Sequence, residues 1–267
     1  MMALAQAKRM NTDIRRSIFI TILGSSDYLD AFERVMKLGL KAKQEREIVY
    51  VLLACCEDEE EYNPFYAHVA QKLCSALPGF KFTFQLAFWD RFKVLAGNKQ
   101  QQQQRDDEAL RKSLNSAKLL AHLTVQFSLS LAVLKVVDFG PDMSTAAVIF
   151  FHTFCNAVLC DPLCIGDDDD VGVGRMDPGR QGPTFDRIRE IFSRIGTSTD
   201  HALVRQGLAF FIRHHVIDRL SRKIKRLKSR RASSGSVAER KREWKECVLR
   251  KRRAKAAMSC LDRMSLE

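Results

Sequence analysis

The stretch QEREIVYVLLACC, Gln44 to Cys56, decides the fold class. Ile48, Val49, Val51, Leu52 and Leu53 are densely apolar, as in a helix running from about Lys41 to Cys56 and buried on most sides. Such a helix needs neighbours, and the flanking sequence supplies them. Upstream, Asn11, Thr12 and Asp13 offer caps to a helix with Ile14, Ile18, Phe19, Ile22 and Leu23 at helical spacing, ending at Gly24. Ser25 and Ser26 then cap a second, with Tyr28, Leu29, Phe32, Val35, Met36 and Leu38, closed by Gly39. Downstream, Asn63 and Pro64 open a fourth, since proline at the first helical position loses only an N–H that has no partner there. Its inward residues are Phe65, Tyr66, Val69, Leu73 and Leu77, and Pro78-Gly79 is read as its break. Phe82, Phe84, Leu86, Phe88, Trp89, Phe92 and Val94 then form an aromatic-rich fifth helix. KFTFQ alternates like a strand, but it runs into WDRFKVL without a turn signal.

Gln100 to Gln104 is a low-complexity polar insert that cannot build a core and is expected to be a mobile loop. Further helices are predicted over Ser113 to Phe127, Leu129 to Phe139, Met143 to Leu159, Phe185 to Ile195 and His201 to Val216. Asp161 to Pro183, rich in Asp, Gly and Pro, is expected to be a second flexible insertion. Successive helices joined by short turns predict an all-α solenoid or irregular bundle.

The chain has 267 residues, 46% hydrophobic and 28% charged, which excludes whole-chain disorder. Six Pro and thirteen Gly argue against a β-sandwich or a collagen-like chain. Met1 to Met10 has no apolar signal core, and no apolar run reaches the roughly 18–20 residues of a membrane span. The expectation is a soluble intracellular protein with no membrane partner. The net charge of +12 is concentrated: Arg213 to Lys255 holds 18 Lys/Arg against 4 Asp/Glu, leaving 26 against 28 elsewhere. A near-neutral body thus carries a strongly basic tail, a pattern suited to a polyanion, because counterion release rewards clustered cations.

No enzymatic fingerprint stands out. There is no GxxxxGK[ST], GxSxG or HExxH, and Gly172-Val173-Gly174 lacks the third glycine of a dinucleotide site. His152, Cys155, Cys160 and Cys164 match no common zinc spacing, so the cysteines read as buried thiols and no metal or cofactor is expected. Asp167 to Asp170 lacks the ligand spacing of a calcium loop and reads as a solvated linker. His214-His215 reads as a helix end facing solvent. KVVDF, Lys135 to Phe139, fits the short pattern that recruits protein phosphatase one; its apolar residues lie in a helical run, which assigns it to core packing.

Several strings carry a resemblance beyond pattern. NTDIRRSIF (Asn11 to Phe19), SSDYLDAFERVMKLGLK (Ser25 to Lys41), QEREIVYVLLACC and YNPFYAHVAQKLC (Tyr62 to Cys74) resemble the MA-three domain of the nucleolar MIF-four-G-domain protein family. FTFQLAFWDRFK (Phe82 to Lys93) and LSLAVLKVVDF (Leu129 to Phe139) continue it, and IREIFSRIG, VRQGLAFFIRHHV and VLRKRRAKAAMSCL resemble the family's C-terminal region. The resemblance implies stacked antiparallel helical hairpins of HEAT-like form. It further implies a nucleolar factor for small-subunit ribosome biogenesis, without covalent chemistry, working on pre-ribosomal RNA with a DEAD-box helicase of the initiation-factor-four-A type. The runner-up is a cytoplasmic translation regulator that binds the translation-initiation helicase; a phosphatase-targeting subunit is a third reading. The family carries an upstream middle domain, so the chain reads as a piece of a longer protein or as a gene product that has lost its first half.

Three segments follow: an MA-three domain over 11–127, a C-terminal helical extension over 128–217 with its insertion at 161–183, and a basic tail over 218–267. Candidate helicase contacts are charged residues at helix ends, namely Glu45, Arg46 and Glu47, with Asp138 and Asp142 flanking a turn. Helix capping and dipole compensation also account for Glu45 and Glu47. Candidate RNA-contact or nuclear-import residues form two clusters: Arg222, Lys223, Lys225, Arg226, Lys228, Arg230 and Arg231, then Arg240, Lys241, Arg242, Lys245, Arg250, Lys251, Arg252 and Arg253. On helices these are expected to wrap all faces and contact phosphate without reading bases. Trp244 could stack on a base or, through Val248 one turn on, dock on the body. Ser233, after Arg230-Arg231-Ala232, is a candidate site for a basophilic kinase.

Overall fold

A computed structural model describes residues 8, 10–97, 107–161, 185–195, 201–229 and 237–264. The polyglutamine insert, nearly all of the second insertion, and Arg230, Arg231 and Ser233 lie outside the described residues. Among the described residues the chain is all-α, with eleven α-helices and no strand. It divides into two units: Met1–Leu129 with Ser144–Thr153, and Ser130–Met143 with Phe154–Glu267.

The first unit begins with α1 (Asp13–Leu23), α2 (Tyr28–Met36), α3 (Ala42–Asp58), α4 (Pro64–Ala76), α5 (Pro78–Gly97) and α6 (Asp107–Val125). Thr12 accepts from the Arg15 N–H at 3.2 Å, and Asn63 accepts from the Phe65 N–H at 3.0 Å with Pro64 behind it. The second helix is capped one residue later than expected, by Asp27, which accepts from the Leu29 and Asp30 N–H groups. Gly39 turns the chain at φ +61°, a conformation open to glycine without strain. The fourth helix ends at Ala76, just before Pro78-Gly79 as expected, and the pair opens α5 directly, since Pro78 sits where its missing N–H is harmless.

Each helix packs on the one two positions along: α1 on α3, α2 on α4, α3 on α5 and α4 on α6. Sequential pairs α1–α2, α3–α4 and α4–α5 also touch, giving two layers of stacked hairpins. Ile18, Phe19 and Ile22 of α1 and Ile48, Leu52 and Leu53 of α3 are buried, with Tyr66 and Leu73 of α4 and Phe84, Phe88 and Phe92 of α5. Burial of each such side chain contributes roughly 1.5–3 kcal/mol. The end of α3 is clamped from α6: Asn115 donates to the carbonyls of Cys56 and Glu59 at 3.2 and 2.9 Å, satisfying groups that a helix end leaves open. Glu57 accepts from Arg91 of α5 and Ser116 of α6.

In the second unit, the expected helix from Leu129 to Phe139 is overturned. Leu131–Val136 is a short 3₁₀ turn capped by Ser130, and the backbone at Val137 is extended. Phe139 is thereby carried to a buried position against Phe211, with ring centroids 5.6 Å apart. Gly207 permits the approach, because a Cβ there would stand 3.1 Å from the Cβ of Phe139.

Helix α7 (Thr145–Cys160) contributes its first nine residues to the first unit and the rest to the second. Then come α8 (Asp186–Ser193), α9 (Ala202–Phe211), a π turn (Ile212–Ile217), α10 (Asp218–Ser229) and α11 (Val237–Arg263). The helix expected to end at Val216 instead runs on through the π turn into α10. Residues read as a basic tail thus form α10 and α11, and α11 packs on α8, α9, the π turn and α10.

Candidate docking cleft and basic surface

In the first unit the opening turns of α3 and α5 border a cleft of about 220 Å³. Phe80 and Thr83, both buried, form its floor; Leu77 and Phe82, 39% and 54% exposed, stand beside it with Glu45 and Arg46. Thr83 returns its hydroxyl to the Gly79 carbonyl at 2.9 Å, so that donor is already used. Gly79 lines the cleft, and no atom lies within 4 Å of where its Cβ would stand. An apolar side chain flanked by charged groups is what this shape accepts. Glu47, the third candidate at this helix start, instead binds Arg15 of α1 at 2.6 Å. Asp138 and Asp142 belong to the other unit; both are exposed, and Asp138 accepts from the Gly140 N–H at 2.9 Å to close its turn. Leu77, expected to be an inward residue of the fourth helix, is instead its exposed C-cap, and the exposure of Phe82 is not legible in the sequence because α5 carries apolar residues all round.

The basic clusters of the second unit do not wrap every face. On α10, Leu220 is buried and Ile224 and Leu227 are half-buried, leaving Arg222, Lys223, Lys225, Arg226 and Lys228 on the exposed side. Lys223 pairs with Glu243 of α11 at 2.8 Å, and the Lys228 ammonium lies 5.5 Å from the centre of the Trp244 ring. Trp244 is half-buried beside this neighbour on α10. On α11, Lys241, Arg242, Lys245 and Arg252 are exposed, whereas Arg240, Arg250 and Lys251 are half-buried. Arg250 binds Glu246 at 2.6 Å. Arg253 is a correction: only 4% exposed, it donates to the Leu159 carbonyl at the end of α7 at 3.0 Å and is not presented to a phosphate. A cation there complements the negative end of the helix dipole.

His214 and His215 lie inside the π turn rather than at a helix end; His214 is exposed, as expected, and His215 is half-buried. His215 stacks on buried Phe211 at 4.7 Å, and its desolvation, with Arg219 and His214 nearby, holds its pKa below the usual value. The thiols of Cys55, Cys56, Cys74 and Cys155 are pushed up to about 12, chiefly by burial, and so are poor nucleophiles at neutral pH. Among the described residues, no group of three His, Cys, Asp or Glu could hold a metal ion, and no helix is long and apolar enough to cross a membrane.

Residues 14–129 match the MA3 domain family. The chain is similar to nucleolar MIF4G domain-containing protein 1 of Mus musculus, 41% identical over 217 residues, covering 81% of this chain and 22% of that protein. Suppressor of glycerol defect protein 1 of Schizosaccharomyces pombe is 41% identical over 150 residues, covering 55% of this chain and 19% of that protein. A pre-mRNA-splicing factor CWC22 homolog of Drosophila melanogaster is 30% identical over 153 residues, covering 57% of this chain and 11% of that protein. The chain spans about a fifth of the length of the first two relatives.

Proposed function

The chain belongs to the nucleolar MIF4G-domain protein family and is a nucleolar protein, and from that premise we propose that it is a non-enzymatic adaptor in small-subunit ribosome biogenesis. Its first unit docks a DEAD-box helicase of the initiation-factor-four-A type, and the exposed cations of α10 and α11 meet pre-ribosomal RNA. The observation that supports the helicase arm best is the cleft beside Glu45 and Arg46, where exposed Leu77 and Phe82 stand next to charge. That composition, an apolar anchor with a charged edge, is the usual make-up of a binding hot spot. The adaptor acts by binding one helicase state more tightly than another, which shifts the balance between them by the difference in affinity. Nucleolar relatives favour this reading over a cytoplasmic regulator.

Gly79→Leu tests it. The new side chain has room where it stands, so the fold is kept while bulk is added to the cleft lining. Calorimetric titration of a purified helicase of this type should show affinity lowered at least tenfold with the melting temperature held. Unchanged affinity would remove the cleft from the interface.

A further inference from the structure

Helix α9 and the π turn present two Phe–His pairs, each four residues apart. Phe211 and His215 face inward, and Phe211 packs on Phe139. Phe210 and His214 face outward: Phe210 is 40% exposed, the two rings lie 4.4 Å apart at 50°, and the imidazole is held by Asp218 at 3.4 Å. Packing explains the inner pair and leaves the outer one without a role. Leu203, two turns earlier on α9, is 83% exposed and extends the same surface. π turns concentrate at functional sites.

We propose that the Phe210–His214 pair is a stacking platform for bases of single-stranded RNA whose phosphates continue along α10. Charge selects this occupant. On α10 the exposed charged side chains are Arg219, Arg222, Lys223, Lys225, Arg226 and Lys228, with Asp218 as the one exposed acid of that helix; the exposed acids Glu239, Glu246 and Asp262 lie on α11. The α10 row complements a polyanion. A duplex hides its bases, whereas a single strand offers flat faces that stack on aromatic rings without regard to sequence. From Phe210 to Arg222 the helix rises about 18 Å, enough to stack one or two bases and still reach cations with the next phosphates. The inference rests on the RNA arm of the proposed function and adds to it a preference for single strands.

The test is fluorescence anisotropy on the full chain, with a labelled fifteen-nucleotide single-stranded RNA and a blunt duplex of equal length, across a salt series. Phe210→Ala should weaken single-strand binding roughly tenfold, in the range for one lost base stack, and leave the duplex affinity and salt slope unchanged. Phe210→Tyr should restore it, and His214→Ala should weaken it less. The triple change Arg222→Glu, Lys225→Glu, Arg226→Glu should lower both affinities and flatten the salt slope. If Phe210→Ala binds the single strand like the parent while the triple variant does not, the stacking site is wrong, the RNA arm stands, and the pair belongs to a protein surface. If the parent chain binds neither RNA with salt dependence, both fail.

Discussion

In the first unit, the buried polar side chains among the described residues are neutral: Thr83, Asn115, Ser116, Thr124, Ser128 and Ser144. In the second they are two arginines, Arg205 and Arg253. Thr83 and Thr124 satisfy themselves on carbonyls four residues back, and Asn115 and Ser144 reach an adjacent helix end. Arg253 reaches Leu159 across 94 positions of sequence. The hairpin stack therefore resolves its polar groups as each hairpin docks, whereas the second unit depends on its last helix returning. The cationic C-terminal stretch is both a charged surface and the clasp of a core.

Removing residues 218–267 should break this comparison most severely. The deletion strips α11 from α8 and α9, and α10 from the π turn, exposing Ile188, Phe192 and Leu208. Hydrogen exchange should show protection lost across 186–217 and kept across 13–97. A deleted chain with native protection at Ile188 would contradict the clasp.

Single substitutions are smaller, and the chain's two tryptophans, Trp89 and Trp244, report on one unit each. Phe88→Ala and Phe139→Ala should each cost about 3–5 kcal/mol. The first should appear in the Trp89 denaturation curve and the second in that of Trp244. Phe139→Ala should unfold its unit rather than cleanly remove a phosphatase contact, because the ring is buried. Arg253→Met should cost about 2–3 kcal/mol, by orphaning the Leu159 carbonyl, and only at Trp244.

Most of the fold was legible in the sequence, because the apolar residues of α1 to α4 repeat at helical spacing between good caps. Leu129 to Phe139 misled: Leu131, Leu134 and Val137 are spaced as in a helix, yet Phe139 must reach Gly207 and Phe211, and that tertiary demand opens the backbone. The site was less legible. Whether Phe82 is core or surface depends on which side α5 buries, and whether Arg253 meets RNA or a carbonyl depends on a helix far upstream.

Acid should separate the units more gently. His215 has a folded pKa below its unfolded value of 6.5, so its contribution is full above that pH and is lost as pH falls through the folded value. Burial raises the Asp58 pKa, but hydrogen bonds from Lys112 and Lys8 more than offset it and hold the carboxyl below 3.8. Its contribution is present above 3.8 and lost only below it. Between pH 7 and 5 the Trp244 midpoint should therefore fall while the Trp89 midpoint holds, and His215→Gln should blunt the fall. Smallest of all is a difference in thiol labelling. Half-buried Cys160 and Cys260 should alkylate before Cys55, Cys56 and Cys74 when peptides are followed by mass spectrometry.

The most direct measurement is a crossed titration of intact chains against a DEAD-box helicase and a single-stranded RNA. Gly79→Leu should lose the helicase and keep the RNA, while Arg222→Glu, Lys225→Glu, Arg226→Glu should do the reverse. If either variant loses both partners while its melting temperature is unchanged, or if each keeps both, the assignment of one partner to each unit is contradicted.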